Sequence, residues 1–303
     1  MSNGASSHTR AEVATQPDDW ARAVERARSL ADVLPRDGER VATIGCGTSW
    51  FMGQAYAVRR EQLGKGVTDA FAASEHHLAR GYDRVVVISR SGTTSEVVEV
   101  VRELVAAGTP HVAFVATPGT EIAELAEHTV LMDDVDEQSV VQTRFATTTL
   151  ALLRAAMGED LAPAISEARA VLEASEADAL GSLVQAEQIS FVGRGWTVGL
   201  ANEAALKLRE SNQMWVEAYP AMEYRHGPIS IAEPGRVVWA IGEVPEGLAD
   251  DVAETGAHFE HRDADPMAEL VRVHRLCVAR ATARGLDPDR PRNLSRSVML
   301  ETS

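Results

Sequence analysis

Two cysteines, Cys46 and Cys277, are all that the 303 residues contain. That is too few for a disulfide framework, and no paired Cys/His spacing offers zinc its ligands. Basic residues are also in short supply: 29 Lys and Arg stand against 45 Asp and Glu, a net charge of −16. A surface that binds duplex nucleic acid carries a basic excess, so this balance argues against a nucleic-acid partner. An anionic small substrate would have to be held by local hydrogen-bond donors against an unfavourable overall field. No apolar run reads as membrane-spanning, and the polar start, MSNGASSHTRAEV, lacks the apolar core of a signal peptide. The expectation is a cytoplasmic protein with no membrane partner. An apolar fraction of 45% and a charged fraction of 24% exclude a disordered or collagen-like chain. The length suits one large domain or two of about 150 residues.

The first dozen residues, rich in Ser and Gly, read as mobile. From Trp20 to Leu34 apolar residues recur at helical spacing, which predicts an amphipathic helix. Arg40 to Ile44 is a β-rich run closed by Gly45, Gly47, Thr48 and Ser49, with a helical stretch to about Leu63. Arg84 to Ile88 repeats the scheme: a strand, the loop Ser89-Arg90-Ser91-Gly92-Thr93-Thr94-Ser95, then a helix from about Glu96 to Ala107. Val112 to Ala116, a helix around Glu121 to His128, and a strand at Thr129 to Met132 follow. After an Ala-rich helical segment, about Thr147 to Ala177, the scheme returns. Gln188 to Val192 and Arg236 to Ile241 read as strands, with a further one beginning at Ala257 to Phe259; Leu200 to Arg209 and Pro266 to Arg284 read as helices. Near-continuous apolar strands alternating with helices predict an α/β protein. It should have two flavodoxin-like subdomains, each a parallel sheet sandwiched by helices. The division falls near residue 160: 1–160 for the leading helix and first domain, 161–303 for a second, shorter domain with the C-terminal tail.

Ligands of open parallel sheets bind at the carboxyl ends of the strands. Two Ser/Thr/Gly loops occupy that place in the first half, Gly45 to Ser49 and Ser89 to Ser95. Each opens a helix, where unsatisfied N–H groups and the dipole favour an anion such as phosphate. Glycine lets backbone approach phosphate oxygens, the hydroxyls add donors, and Arg90 could add a positive charge. The alternative is that Ser and Thr merely cap the two helices.

The stretch Asn202 to Pro228 is the richest in titratable groups. Glu203, Lys207 and Glu210 are four and three residues apart and share one helix face. They are either a solvated stripe with weak ion pairs or a catalytic face beside a strand end. Arg225-His226-Gly227-Pro228 is a constrained turn carrying a histidine, either structural or catalytic. Cys46 has no His/Asn pattern around it and reads as a small buried residue. His76 and His77 lack a third ligand at metal spacing, so no metal site is expected.

Several motifs together resemble the sugar isomerase (SIS) domain family. GCGTSWFMGQAYAVRREQLGKGVTDAFAASE, ISRSGTT and VDEQSVVQTRFATT are similar to the first of the tandem SIS domains of glucosamine-6-phosphate synthases. FVGRGWTVGLANEAALKLRESNQMWVEAYPAMEYRHGPISI and DPDRPRNLSRSVMLE are similar to the second. The likeness runs from about Glu12 to Glu301. It implies that Thr48, Ser49, Ser89, Arg90, Ser91 and Thr94 hold a sugar phosphate, with Gly47, Gln142 and Arg296 as further substrate contacts. Glu210 is then the base that moves a proton between C1 and C2 of the open-chain sugar. Lys207 lies beside the substrate hydroxyls and Glu203 on the same face. His226 assists ring opening from a partner subunit, which implies a homodimer with shared active sites. No metal or redox cofactor is implied. The sequence has no glutaminase domain and no Cys at position 2, which implies that glutamine-derived ammonia is not its nitrogen source.

Three departures from the family pattern shape the expectation. Arg296 stands where the synthases have an imine-forming lysine, and a guanidinium stays protonated and forms no imine. Gln142 and Arg144 replace a serine and a lysine, so sugar-side contacts should differ. The stretch between Ile241 and the tail is short, so the second sheet should be smaller. The leading expectation is an enzyme on an amino-sugar 6-phosphate that opens the ring and takes the C2 proton, an aldose–ketose isomerase or deaminase. The alternatives are a dehydratase or lyase on an N-acetylhexosamine 6-phosphate, eliminating at C3, and a non-catalytic phosphosugar sensor.

Overall fold

A computed structural model of the chain describes residues 7–300. The chain divides into two compact units, each built on one parallel sheet. The first-sheet unit comprises Asp19–Glu137, Arg144–Leu161 and the chain from Ser295 on. The second-sheet unit comprises the chain up to Asp18, Gln138–Thr143 and Ala162–Leu294.

Helix α1 (His8–Ala27) starts earlier than its apolar spacing predicts and ends earlier too, passing into a single turn at Arg28–Leu30. The expectation of a mobile start is therefore overturned from His8 onward; the rest of it, residues 1–6, lies outside the described residues. Polar ties explain the early start. Thr9 donates its N–H and its hydroxyl to Asp289 Oδ1, at 2.8 and 2.7 Å, and the buried Glu12 carboxylate accepts the Gln138 N–H at 2.6 Å. Apolar periodicity does not register such bonds.

In the first-sheet unit the strands are β1 (Val41–Gly45), β2 (Thr68–Ala72), β3 (Arg84–Ser89), β4 (His111–Val115) and β5 (His128–Leu131). They pair in parallel in the order β2-β1-β3-β4-β5. Strands β1 and β4 are buried at every residue and β3 at all but its first, which is why they read as unbroken apolar runs. Helices α2 (Thr48–Gln62), α3 (Ser95–Ala107), α4 (Glu121–Leu125) and α5 (Arg144–Ala156) complete the unit. Strand order reverses between β1 and β3, the switch point at which such sheets open a crevice. Ile44 is level with Val87, so the loops after β1 and β3 leave the sheet side by side.

The second-sheet unit has β6 (Gln188–Gly193), β7 (Val216–Pro220), β8 (Arg236–Ile241) and β9 (His258–Glu260), all parallel, in the order β7-β6-β8-β9. It repeats the first sheet one strand smaller. Its helices are α6 (Ala162–Glu173), α7 (Glu176–Leu180), α8 (Thr197–Asn212), α9 (Leu248–Glu254) and α10 (Pro266–Ala283). Helix α8 buries Leu200, Ala201, Ala204, Ala205 and Leu208 completely, so it runs through the interior rather than along a surface. Among the described residues no helix is long and apolar enough to cross a membrane.

Candidate active site

The first group of candidate residues gathers at the carboxyl ends of β1 and β3. Gly47, with φ 53° and ψ −124°, turns the chain into α2, and Thr48 and Ser49 are buried in its first turn. In the neighbouring loop Gly92 has φ +67°, and a Cβ there would meet Thr120 Oγ1 at 2.0 Å, so only glycine fits. That fold-back brings the hydroxyls together. Ser89 Oγ accepts the Gly92 N–H at 3.3 Å, Ser91 Oγ accepts the Thr93 N–H at 3.3 Å, and Ser91 Oγ lies 3.4 Å from Thr94 Oγ1. Thr94 stands at the N-cap of α3 yet its side chain makes no capping bond, and the N-cap of α2 is a glycine. Neither N-cap of these two helices is closed by a loop hydroxyl.

Arg90 is buried, with Nη1 3.3 Å from Glu137 Oε2, and its Nη2 donates to the Arg296 carbonyl at 3.3 Å. Glu137 in turn accepts the Arg144 N–H at 2.8 Å. Burying two charges this deeply is tolerated because they are paired. Arg296 donates to the Glu137 carbonyl, to the Asp136 carboxylate and, at 3.3 Å, to Thr117 Oγ1. The sequence positions of Arg90 and Arg296 thus meet, but their charge faces Glu137 and Asp136.

The second group sits on α8. Lys207 Nζ lies 2.5 Å from Glu210 Oε2 and 3.5 Å from Glu203 Oε1. The Lys207 and Glu203 side chains are each 1% exposed and that of Glu210 18%, so this is not a solvated stripe. Of the two carboxylates, Glu210 is the one open to a small molecule. His274 of α10, which sequence reading passes over, belongs to the same interior. Burial first and the Lys207 charge second push its imidazole down to about 3. It is therefore neutral near pH 7, and its Nδ1 accepts from Gln16 Nε2 at 3.1 Å. Burial likewise pushes the Cys277 thiol up to about 12 and the half-buried Cys46 thiol to about 11, so neither is a poised nucleophile.

A pH dependence follows from His274. Its folded-state value lies below the ordinary 6.5, so the unfolded chain binds the proton first. The associated stability is full above about pH 6.5 and is lost as pH falls towards 3, by at most about 1.4 kcal/mol per pH unit. Urea unfolding at pH 7 and pH 5 should show this loss in the unaltered protein and a shallower one in His274→Gln, which can still accept from Gln16. Equal losses in both would show that the imidazole is not the source.

His226 is exposed at the end of the turn Glu223–His226, ahead of Gly227 with φ 136°. It is not part of the buried cluster around Lys207. Gln142 belongs to the second-sheet unit, with Oε1 buried and no hydrogen-bond partner. The residues that sequence reading missed are His274, Glu137, Asp136, Thr93 and Ser297. A single His in an apolar helix carries no local signal, and the tail contacts join residues 159 to 206 positions apart.

The family model of the SIS domain matches residues 36–157 and 182–268. The chain belongs to the SIS family. Both loops, α8 and His226 fall within the matched stretches; Arg296 and Ser297 lie beyond them. This SIS chain is 28% identical over 299 residues to the glutamine–fructose-6-phosphate aminotransferase (isomerizing) of Sulfurisphaera tokodaii, covering 88% of this chain and 51% of that one. Against the enzyme of the same name from Streptococcus pyogenes serotype M1 it is 28% identical, covering 88% and 52%. It spans about half the length of these relatives. Among solved structures it is similar to a glucosamine-6-phosphate deaminase from Thermotoga maritima, with TM-score 0.78 and 22% identity over 97% of this chain and 100% of that one. A tagatose-6-phosphate ketose/aldose isomerase from Escherichia coli gives TM-score 0.76 and 17% identity, over 95% and 98%. These likenesses confirm the α/β SIS architecture expected of the sequence.

Proposed function

We propose that this SIS protein acts on an amino-sugar 6-phosphate of the glucosamine 6-phosphate or N-acetylglucosamine 6-phosphate type. In this reading it opens the ring and removes the C2 proton, as an aldose–ketose isomerase or deaminase. The observation that carries this is the Lys207–Glu210 pair, a partly open carboxylate fixed 2.5 Å from a buried ammonium. The C2 proton becomes acidic once the ring opens and C1 is a carbonyl. Glu210 then acts as general base, a contribution of roughly 100- to 10,000-fold. The Lys207 ammonium stabilises the negative charge that develops on the enediolate oxygens. The hydroxyls of Thr48, Ser49, Ser89, Ser91 and Thr94 hold the phosphate. His226, exposed on the same stretch of chain as Met222 at 46% and Trp215 at 80% exposure, serves the neighbouring site in a cytoplasmic homodimer.

A second reading rests on Arg296. Its guanidinium takes the place of the imine lysine and is engaged by Asp136. Elimination at C3 of an N-acetylhexosamine 6-phosphate needs no imine, so a lyase or dehydratase fits that substitution. Incubation with glucosamine 6-phosphate and, separately, N-acetylglucosamine 6-phosphate, each followed by NMR, tests both readings. Ammonia and a ketose, or a ketose alone, are expected from the first reading, and an unsaturated sugar from the second. No turnover of either compound would remove the enzyme reading and leave a phosphosugar sensor.

A further inference from the structure

The C-terminal tail lies on the loop that follows β3, within the first-sheet unit. Ser297, half-buried, is the point at which the loop hydroxyls converge. Its Oγ is 2.9 Å from Thr93 Oγ1, 3.2 Å from Ser91 Oγ and 3.4 Å from Thr94 Oγ1. One serine oxygen has two lone pairs and one proton, so three hydroxyl neighbours saturate it. Such a ring of short donors around one oxygen is the arrangement that suits a phosphoryl oxygen, and Ser297 stands within it.

Two outcomes are open when an anion enters: the tail leaves, or the tail stays and Ser297 turns. The bonds that fasten the tail decide between them. Arg296 donates to the Glu137 carbonyl, to the Asp136 carboxylate and to Thr117 Oγ1. Arg90 donates to the Arg296 carbonyl at 3.3 Å, the Ser95 N–H to the Val298 carbonyl at 3.1 Å, and the Leu300 N–H to Ser95 Oγ at 2.8 Å. Releasing all of these costs far more than moving one serine side chain between staggered rotamers.

We propose that Ser297 is a phosphate-binding residue, a hydroxyl that the tail contributes to the Ser89–Thr94 loop. In this role Arg296 is a positioning residue: it anchors the tail by its ion pair with Asp136, where an imine-forming lysine would instead have to reach the sugar. The ligand is a phosphate monoester dianion. The inference rests on the phosphate reading of the loop given above and adds to it a residue that lies outside the matched SIS stretches.

Calorimetric titration with glucitol 6-phosphate, which has no carbonyl and is not turned over, tests it. Ser297→Ala should weaken binding about tenfold, in line with the loss of a hydrogen bond to a charged group. Ser297→Thr, which keeps the hydroxyl, should restore most of the affinity. Ser91→Ala serves as the reference for the loop itself. If Ser91→Ala weakens binding and Ser297→Ala leaves it unchanged, the tail hydroxyl takes no part and the inference fails. Tighter binding by Ser297→Ala would also overturn it, showing that the hydroxyl competes with the phosphate. Absence of binding by the unaltered protein would instead bring down the phosphate reading itself, and this inference with it.

Discussion

Replacing Glu210 by Gln should lower turnover of the proposed amino-sugar phosphate substrate by about 100-fold or more while leaving binding nearly intact. The amide has the size of the carboxylate, and its oxygen can still accept from Lys207 Nζ, which lies 2.5 Å from Glu210 Oε2. What is lost is the ability to take a proton. Hydrogen–deuterium exchange at C2 in heavy water reads that step directly, whichever product is formed afterwards. Exchange should vanish with Glu210→Gln. Arg296→Lys, by contrast, should leave exchange largely in place, because Arg296 faces Asp136 and the Glu137 carbonyl. If Glu210→Gln exchanges the C2 proton at the parent rate, the base is another residue. Glu203 is the next candidate by its position on the helix, although its side chain is only 1% exposed against 18% for Glu210.

The legible parts of this protein are those whose physics is local. Strands β1, β3 and β4 announce themselves because burial on both faces demands unbroken apolar residues. The loops after β1 and β3 are equally plain, since a close turn into a helix needs glycine and short hydroxyls. Strands β2 and β7 are not. Both lie at sheet edges, both are half-buried, and TDAFA and VEAYP carry acidic residues that break the apolar run. The face of α8 is written in the spacing of Glu203, Lys207 and Glu210. Its burial is not, because it arises from packing in the fold around the helix. The start of α1 and the seat of the tail depend on Asp289 and on Asp136 and Glu137, partners far away in sequence. A turn at Gly92 is legible from its residue type, whereas the contact of Thr93 with Ser297 depends on where the tail lies.

The buried charge on α8 should also dominate stability. Lys207→Met keeps much of the side-chain volume but removes the cation from a place where Glu203 is almost wholly buried. Breaking a buried ion pair by removing one of its ions costs about 3–5 kcal/mol, far more than breaking an exposed pair. Urea unfolding at pH 8 should register a loss of that order. Adding Glu203→Gln should recover most of the stability at pH 8, since the double variant buries neither ion of the pair. The difference between the double variant and the sum of the two single ones then measures the coupling. A cost below about 1 kcal/mol for Lys207→Met would mean that water reaches the pair and that the helix is only a solvated stripe. Failure of Glu203→Gln to recover stability in the double variant would mean that lost packing, rather than the buried carboxylate, accounts for the effect.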